Sequence, residues 1–194
     1  MRILIIMAFC SVLLTACSTS PRDAELRSPP LNLDTVMTQA EMNTKLHQLS
    51  IKLDESMNQI DMNISQGEIT NLWRRRLDEM ILEIHYLYSD DQRFLHAFDT
   101  AQKKWEDYCD AMMEARFPGE DKQMEYGSIY PFAFSAQLAG LLKIRIAEMS
   151  PWTEGTEEGD VTSGSVAIKE HLDELRRSRK KDQPDANPRA QAEK

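Results

Sequence analysis

From Phe94 to Ala115 apolar side chains recur at steps of 4, 3, 4, 3, 4 and 3 residues, passing through Phe98, Ala101, Trp105, Tyr108 and Met112. Such spacing stacks side chains on one face of an α-helix and scatters them over both faces of a strand, so the stretch predicts a helix with one buried side. Ser89 with Gln92 has the form of a capping box at its start, and Pro118-Gly119 stops it. Two stripes precede it. Met42, Leu46, Leu49, Leu53, Met57 and Ile60 predict a helix over 35–62 capped by Asp34, while Trp73, Leu77, Met80, Ile84 and Leu87 predict a second, restarted at Ser65 and Glu68 after the polar stretch 63–67. A fourth face, Leu138, Leu141, Leu142, Arg145 and Met149, ends before Pro151 and follows a loop-like stretch from Gly119 to Pro131. The seven-residue spacing of the third helix lasts about three heptads, the lower limit for a coiled coil. With no alternating stretch, the fold expected over 34–150 is all-α, a small bundle of about four helices.

The ends of the 194-residue chain have a different character. Residues 1–16 read as a signal: Arg2, an apolar run from Ile3 to Leu14 too short to span a bilayer, then Thr15 and Ala16. Leu14-Thr15-Ala16-Cys17 resembles the bacterial lipoprotein box, which implies a diacylglycerol on the Cys17 thiol and cleavage before it. Acyl chains bury about 0.8 kcal/mol per CH₂, enough for several chains to hold a protein on its membrane. Ser18 stands where Asp would favour inner-membrane retention, so this resemblance implies the outer membrane, facing the periplasm or the surface. Residues 17–33, with Pro21, Pro29 and Pro30, read as the lipidated Cys and a flexible linker. Residues 151–194 read as a polar tail with a short amphipathic helix at Ile168, Leu172 and Leu175 and a disordered end from 182.

Charge narrows the partners. The net charge is -9, of which residues 31–150 carry -8 from 12 basic and 20 acidic side chains. Such a field repels nucleic acid and steers cationic proteins, and it also serves plain solubility. The basic cluster Arg176, Arg177, Arg179, Lys180 and Lys181 follows several acids and reads as a solvated helix end, or a weak contact with anionic envelope polymers, rather than a nucleic-acid patch.

Chemistry is scarce. His47, His85, His96 and His171 fall on separate elements without zinc-ligand spacing, and no nucleophile elbow, phosphate loop or calcium loop occurs. Glu79 and Glu83 lie one turn apart but lack the Glu-x-x-His of a di-metal bundle, so exposed charge is the expectation for them. Loss of Cys10 with the signal and acylation of Cys17 leave Cys109 as the one thiol of the mature chain, either buried and inert or paired with another molecule. Its neighbour Asp110 disfavours the thiolate. The chain reads as a non-enzyme without metal or cofactor.

The run from Ala101 through Gln102, Trp105, Tyr108 and Cys109 to Ala111 resembles the signature of the lysozyme inhibitor LprI-like family: a Gln, a Trp three on, then Tyr or Arg and Cys in the next turn. Gly127-Ser128, followed by a helix with Arg145 and Met149, is similar to its second segment, which ends R-x-x-x-L; Met149 stands for the Leu. The resemblance covers residues 68–149. Family members commonly carry a second Cys in the last helix, where this chain offers Gln137 or Ala139, so apolar packing must join the two helices. Trp105 and Tyr108 are expected on the inward face, and Arg145 is expected to pair with Asp107 or Glu106 across the bundle.

The resemblance implies inhibition of c-type lysozyme by a tethered lipoprotein, a role an acidic domain facing a basic enzyme can fill. Glu114, Glu120, Asp121 and Glu125, beside the loop after the third helix, are the candidate partner-binding acids. The competing reading is a structural or assembly lipoprotein of the envelope, joined to its neighbours through Phe132, Phe134 and the stretch from Ile168 to Leu175. The clustered aromatics at 126, 130, 132 and 134 mark the same loop as a contact surface.

Overall fold

The computed structural model describes residues 36–182, with side chains through 178. The signal, Cys17, the linker, Asp34 and the end beyond 182 lie outside the described residues, as do the side chains of Arg179, Lys180 and Lys181. The described chain is all-α: α1 Gln39–Asp54, α2 Gln59–Leu87, α3 Gln92–Arg116, a short α4 Lys122–Tyr126 running into a 3₁₀ turn at Gly127–Ile129, α5 Tyr130–Glu154, and α6 Lys169–Asp182.

The first helix starts later than expected. Thr38 and Glu41 form a reciprocal capping box: the Glu41 N–H donates to the Thr38 hydroxyl at 3.2 Å and the Thr38 N–H donates to the Glu41 carboxylate at 2.8 Å. That backbone N–H also holds the Glu41 carboxyl below its usual pKa. The break between α1 and α2 falls at 55–58, one to two turns before the polar stretch that the sequence suggested. Asn58 caps α2 by accepting from the Asp61 N–H at 3.0 Å, and Gly67 lies inside the helix. An interior glycine costs about 1 kcal/mol relative to Ala, a cost that the long packed face of α2 absorbs. Ser65 is fully buried in the same helix rather than capping its start.

Hydrogen bonds and ion pairs fix the helix directions. Asn63 bonds Ser128 and Thr70 bonds Ser135, at one constant offset, so α2 and α5 run parallel; they share the largest interface. Lys52 to Glu68 sets α1 antiparallel to α2, and His85 to Asp99 sets α3 antiparallel to α2. Gln102 with Arg145, and Arg116 with Gln137, set α3 antiparallel to α5. Two chain connections, the α1–α2 turn and the α3–α5 connection, therefore meet at one end of the bundle.

The main core sits toward the other end. Ile84 of α2, Met149 of α5 and Leu172 of α6 are fully buried there, with Leu77, Phe94, Phe98 and Leu142 around them. Trp152 closes over Phe94 and Phe98 at ring separations of 5.9 and 5.8 Å. Helix α5 continues through Pro151 to Glu154. Proline cannot donate to the Ala147 carbonyl, and the Ser150 hydroxyl donates to it instead, at 3.2 Å. The segment after α5 returns to the bundle: Gly155, at φ +80°, brings Lys169 so close that a Cβ there would lie 2.6 Å from its Cα. The Ala167 N–H then donates to the Tyr88 hydroxyl at 3.0 Å.

The inward face of α3 differs from the heptad stripe. Phe94, Phe98, Gln102, Cys109 and Met113 are buried and Trp105 half-buried, whereas Ala101, Tyr108 and Ala115 face out. A straight helix drifts about 20° per heptad from a 3.5-residue repeat, so the later members of that repeat rotate off the core.

Candidate functional site

Two constructions at the α3–α5 boundary gather the residues singled out above. The first is a polar lock in the middle of the bundle. Buried Arg145 donates through Nε to Gln102 Oε1 at 3.0 Å and through an Nη to Glu148 at 3.3 Å, and its guanidinium lies 5.8 Å from the centre of the Trp105 ring. Gln102 is itself buried and passes its amide N–H to Glu106 at 3.3 Å. The expected pairing with Asp107 or Glu106 is thus corrected. Gln102 and Glu148 take the guanidinium, Glu106 is reached only through Gln102, and Asp107 pairs with Lys103 at 3.3 Å. The turn of the helix decides this, since Gln102 points inward and Asp107 does not.

Cys109, two turns after Gln102 on α3, and Met149, one turn after Arg145 on α5, are both buried. Burial, with the neighbouring Asp110 and Glu106 charges, pushes the Cys109 thiol up to about 11, which suppresses its nucleophilicity. Tyr108, expected on the inward face, is 52% exposed. Gly127 adopts φ +69°, a conformation suited to glycine where the chain leaves α4, and the Ser128 carbonyl accepts from Asn63 Nδ2 at 3.1 Å.

The second construction is the connection from α3 to α5, which is more ordered than its composition suggested. Asp121 caps α4 by accepting from the Met124 N–H at 2.9 Å, and the Tyr126 hydroxyl donates to the Pro118 carbonyl at 2.8 Å. Phe117 packs edge-on against Tyr126 and Tyr130, both at 5.4 Å, with Phe134 beside it. Of the aromatics read as an exposed contact cluster, Tyr126, Tyr130 and Phe134 therefore form a small half-buried core of the connection with Phe117, while Phe132 is half-buried outside these ring contacts. Leu172 and Leu175 are likewise spent on internal packing, as is Phe134, so these members of the proposed assembly surface face inward.

Of the four candidate acids Glu120, Asp121 and Glu125 lie in this connection and Glu114 on the last turn of α3, all exposed. Glu114 holds Lys122 with both carboxylate oxygens at 2.9 Å, and Lys122 also donates to the Phe117 carbonyl. The Glu125 carboxylate folds over Gly119, whose φ of +117° and missing Cβ make room for it. Glu120 has no hydrogen-bond or ion-pair partner among the described residues.

Elsewhere, charge expected on the surface is tied into the fold. Glu79 is buried and accepts from the Met37 N–H at 3.3 Å and from Arg75 at 2.8 Å, while Glu83 pairs with Arg176 at 2.8 Å. Arg176 thereby leaves the solvated basic cluster and joins α6 to α2. A groove of about 850 Å³ runs beside this pair, floored by Met42, Trp73 and Met80. Lys143 lies 5.1 Å above the Trp73 ring, a contact no local sequence spacing announces. Among the described residues no group of three or more His, Cys, Asp or Glu side chains is placed to hold a metal ion, and no helix is long and apolar enough to cross a membrane.

The family model described as "Lysozyme inhibitor LprI" matches residues 33–149, a span from just before α1 to Met149, one turn after Arg145. No curated protein and no solved structure matches the chain.

Proposed function

Because the chain belongs to the lysozyme inhibitor LprI family, we propose that it is an exported, lipid-anchored protein whose helical domain binds and inhibits a basic lysozyme. The observation that carries this reading is the family match, which takes in both helices of the polar lock and the connection between them. Charge agrees with it: the -8 of residues 31–150 attracts a cationic enzyme at long range, where complementarity raises the association rate. The work is binding rather than catalysis. Cys109 is buried with its thiol held protonated, and Arg145 is occupied by Gln102, Glu148 and Trp105.

The anchor belongs to the same reading. Cys17, behind Leu14-Thr15-Ala16, receives the lipid, and residues 18–33 give the domain reach from the outer membrane. Two measurements test the proposal. Release of dye from labelled peptidoglycan by a c-type lysozyme should fall as the protein is added, and unchanged release at micromolar protein refutes inhibition. Mass spectrometry of the protein purified from bacterial membranes should show a mature chain beginning at an acylated Cys17; an unmodified Cys17 in a soluble product refutes the anchor.

A further inference from the structure

Ten large apolar side chains are exposed among the described residues, and five of them, Met57, Ile60, Ile64, Met124 and Ile129, belong to two segments some 65 residues apart in sequence. The structure brings those segments together. Met57, Ile60 and Ile64 lie on the α1–α2 turn and the start of α2, Met124 and Ile129 on α4 and the 3₁₀ turn, and the Asn63–Ser128 hydrogen bond at 3.1 Å joins the two. Ile60 and Ile64 are one helical turn apart, hence on one face, and are 69% and 51% exposed.

Around these apolar side chains the charge is predominantly acidic, with Lys52 near the end of α1 and Arg116 at the end of α3 as flanking cations. Residues 54–64 and 118–129 carry Asp54, Glu55, Asp61, Glu120, Asp121 and Glu125 against a single cation, Lys122. All six acids are exposed, while Lys122 is held by Glu114 and the Phe117 carbonyl. Exposed apolar side chains interspersed with acids at one end of the bundle suit a partner that presents apolar side chains among lysines and arginines. The end is also preorganised, since the Asn63 bond, the Asp121 cap and the Phe117 aromatic group fix the connection before any partner arrives.

We propose that this end of the bundle, the α1–α2 turn with the α3–α5 connection, is the surface that docks a cationic protein. The assignment rests on the inhibitory reading above and locates its interface. A second copy of the chain would bring two predominantly acidic ends together, and an anionic lipid surface would meet the same repulsion.

The test uses the full chain in non-ionic detergent and a c-type lysozyme as probe, with affinity read by interferometry. Ile60→Ser/Ile64→Ser and Glu120→Gln/Asp121→Asn/Glu125→Gln alter the docking end. Glu157→Gln/Glu158→Gln is the charge control, in the loop past the far end of α5, about 37 Å away at the helical rise. Each variant at the docking end should weaken binding about tenfold or more, and the control by less than about twofold, the contrast expected between a central contact and remote charge. Amide exchange of the unaltered chain, needing no variant, should slow in 54–64 and 118–129 when lysozyme binds. Tight binding by the unaltered chain that neither docking-end variant weakens overturns the surface and leaves the inhibitory reading standing. No binding by the unaltered chain overturns both. A dimer in sedimentation that the Ile variants dissolve overturns the cationic partner in favour of a second copy.

Discussion

Replacing Gln102 by Ala removes the acceptor of a buried guanidinium and an amide donor to the exposed Glu106 carboxylate, and changes no charge. Arg145 is 9% exposed and its Nε reaches Gln102 Oε1 at 3.0 Å, so the bond is one to an ionised donor, worth about 1.5 to 3 kcal/mol. Arg145→Met keeps most of the aliphatic packing but strands the Gln102 oxygen, at about 1 to 3 kcal/mol, and forfeits the Trp105 cation–π contact, at about 0.5 to 2 kcal/mol. The double variant strands neither group. Its cost should fall short of the sum of the single ones by about 1.5 to 3 kcal/mol, because each single change already breaks the shared bond. Urea unfolding of the four chains, followed by far-UV circular dichroism, gives the coupling directly. A coupling below about 0.5 kcal/mol, the scatter seen between independent sites, refutes the claim that this bond locks α3 to α5.

Further outcomes follow from the packing. Leu172→Ala empties a fully buried site and should lower stability by about 2 to 5 kcal/mol, with amide exchange in α6 accelerating first. Gly155→Ala must place a methyl 2.6 Å from the Lys169 Cα at a φ of +80°, so strain and overpacking together should cost about 2 to 5 kcal/mol in thermal or urea unfolding. Gly67→Ala, with nothing within 4 Å of the new Cβ, should have the opposite sign and stabilise by about 0.4 to 1 kcal/mol. The raised Cys109 pKa favours the fold while the thiol stays protonated, so this contribution is complete below pH 9 and is lost as pH climbs through about 11. Iodoacetamide labelling of folded protein at pH 8 should accordingly be far slower than in urea, and equal rates would place the thiol at the surface.

The helices themselves were legible because long apolar stripes survive any small error in boundary. Their ends were not, because a cap is a matter of one or two residues. Asp34, Ser65 and Ser89 all had the right side chains to start a helix, yet Thr38, Asn58 and Asp91 do so. Tyr108 faces out because the seven-residue stripe drifts off the core along α3, while a buried Gln102 and a buried Arg145 satisfy one another and so occupy core positions that apolar character alone does not mark.

The docking surface depends on the place of one turn. A first stripe that runs on through Met57 and Ile60 predicts both residues on a buried face. Once Asn58 starts α2, Met57 falls in the turn at 93% exposure and Ile60 on an outward first turn, which leaves apolar surface that the fold itself does not use. The acids 120, 121 and 125 were legible from their charge, but acids alone are ordinary surface; what distinguishes them is the apolar ground beside them, supplied by a segment remote in sequence and joined through Asn63 and Ser128. A surface built this way has no local spacing to betray it, since its two halves meet only because α2 and α5 run parallel and bring their first turns to the same end of the bundle.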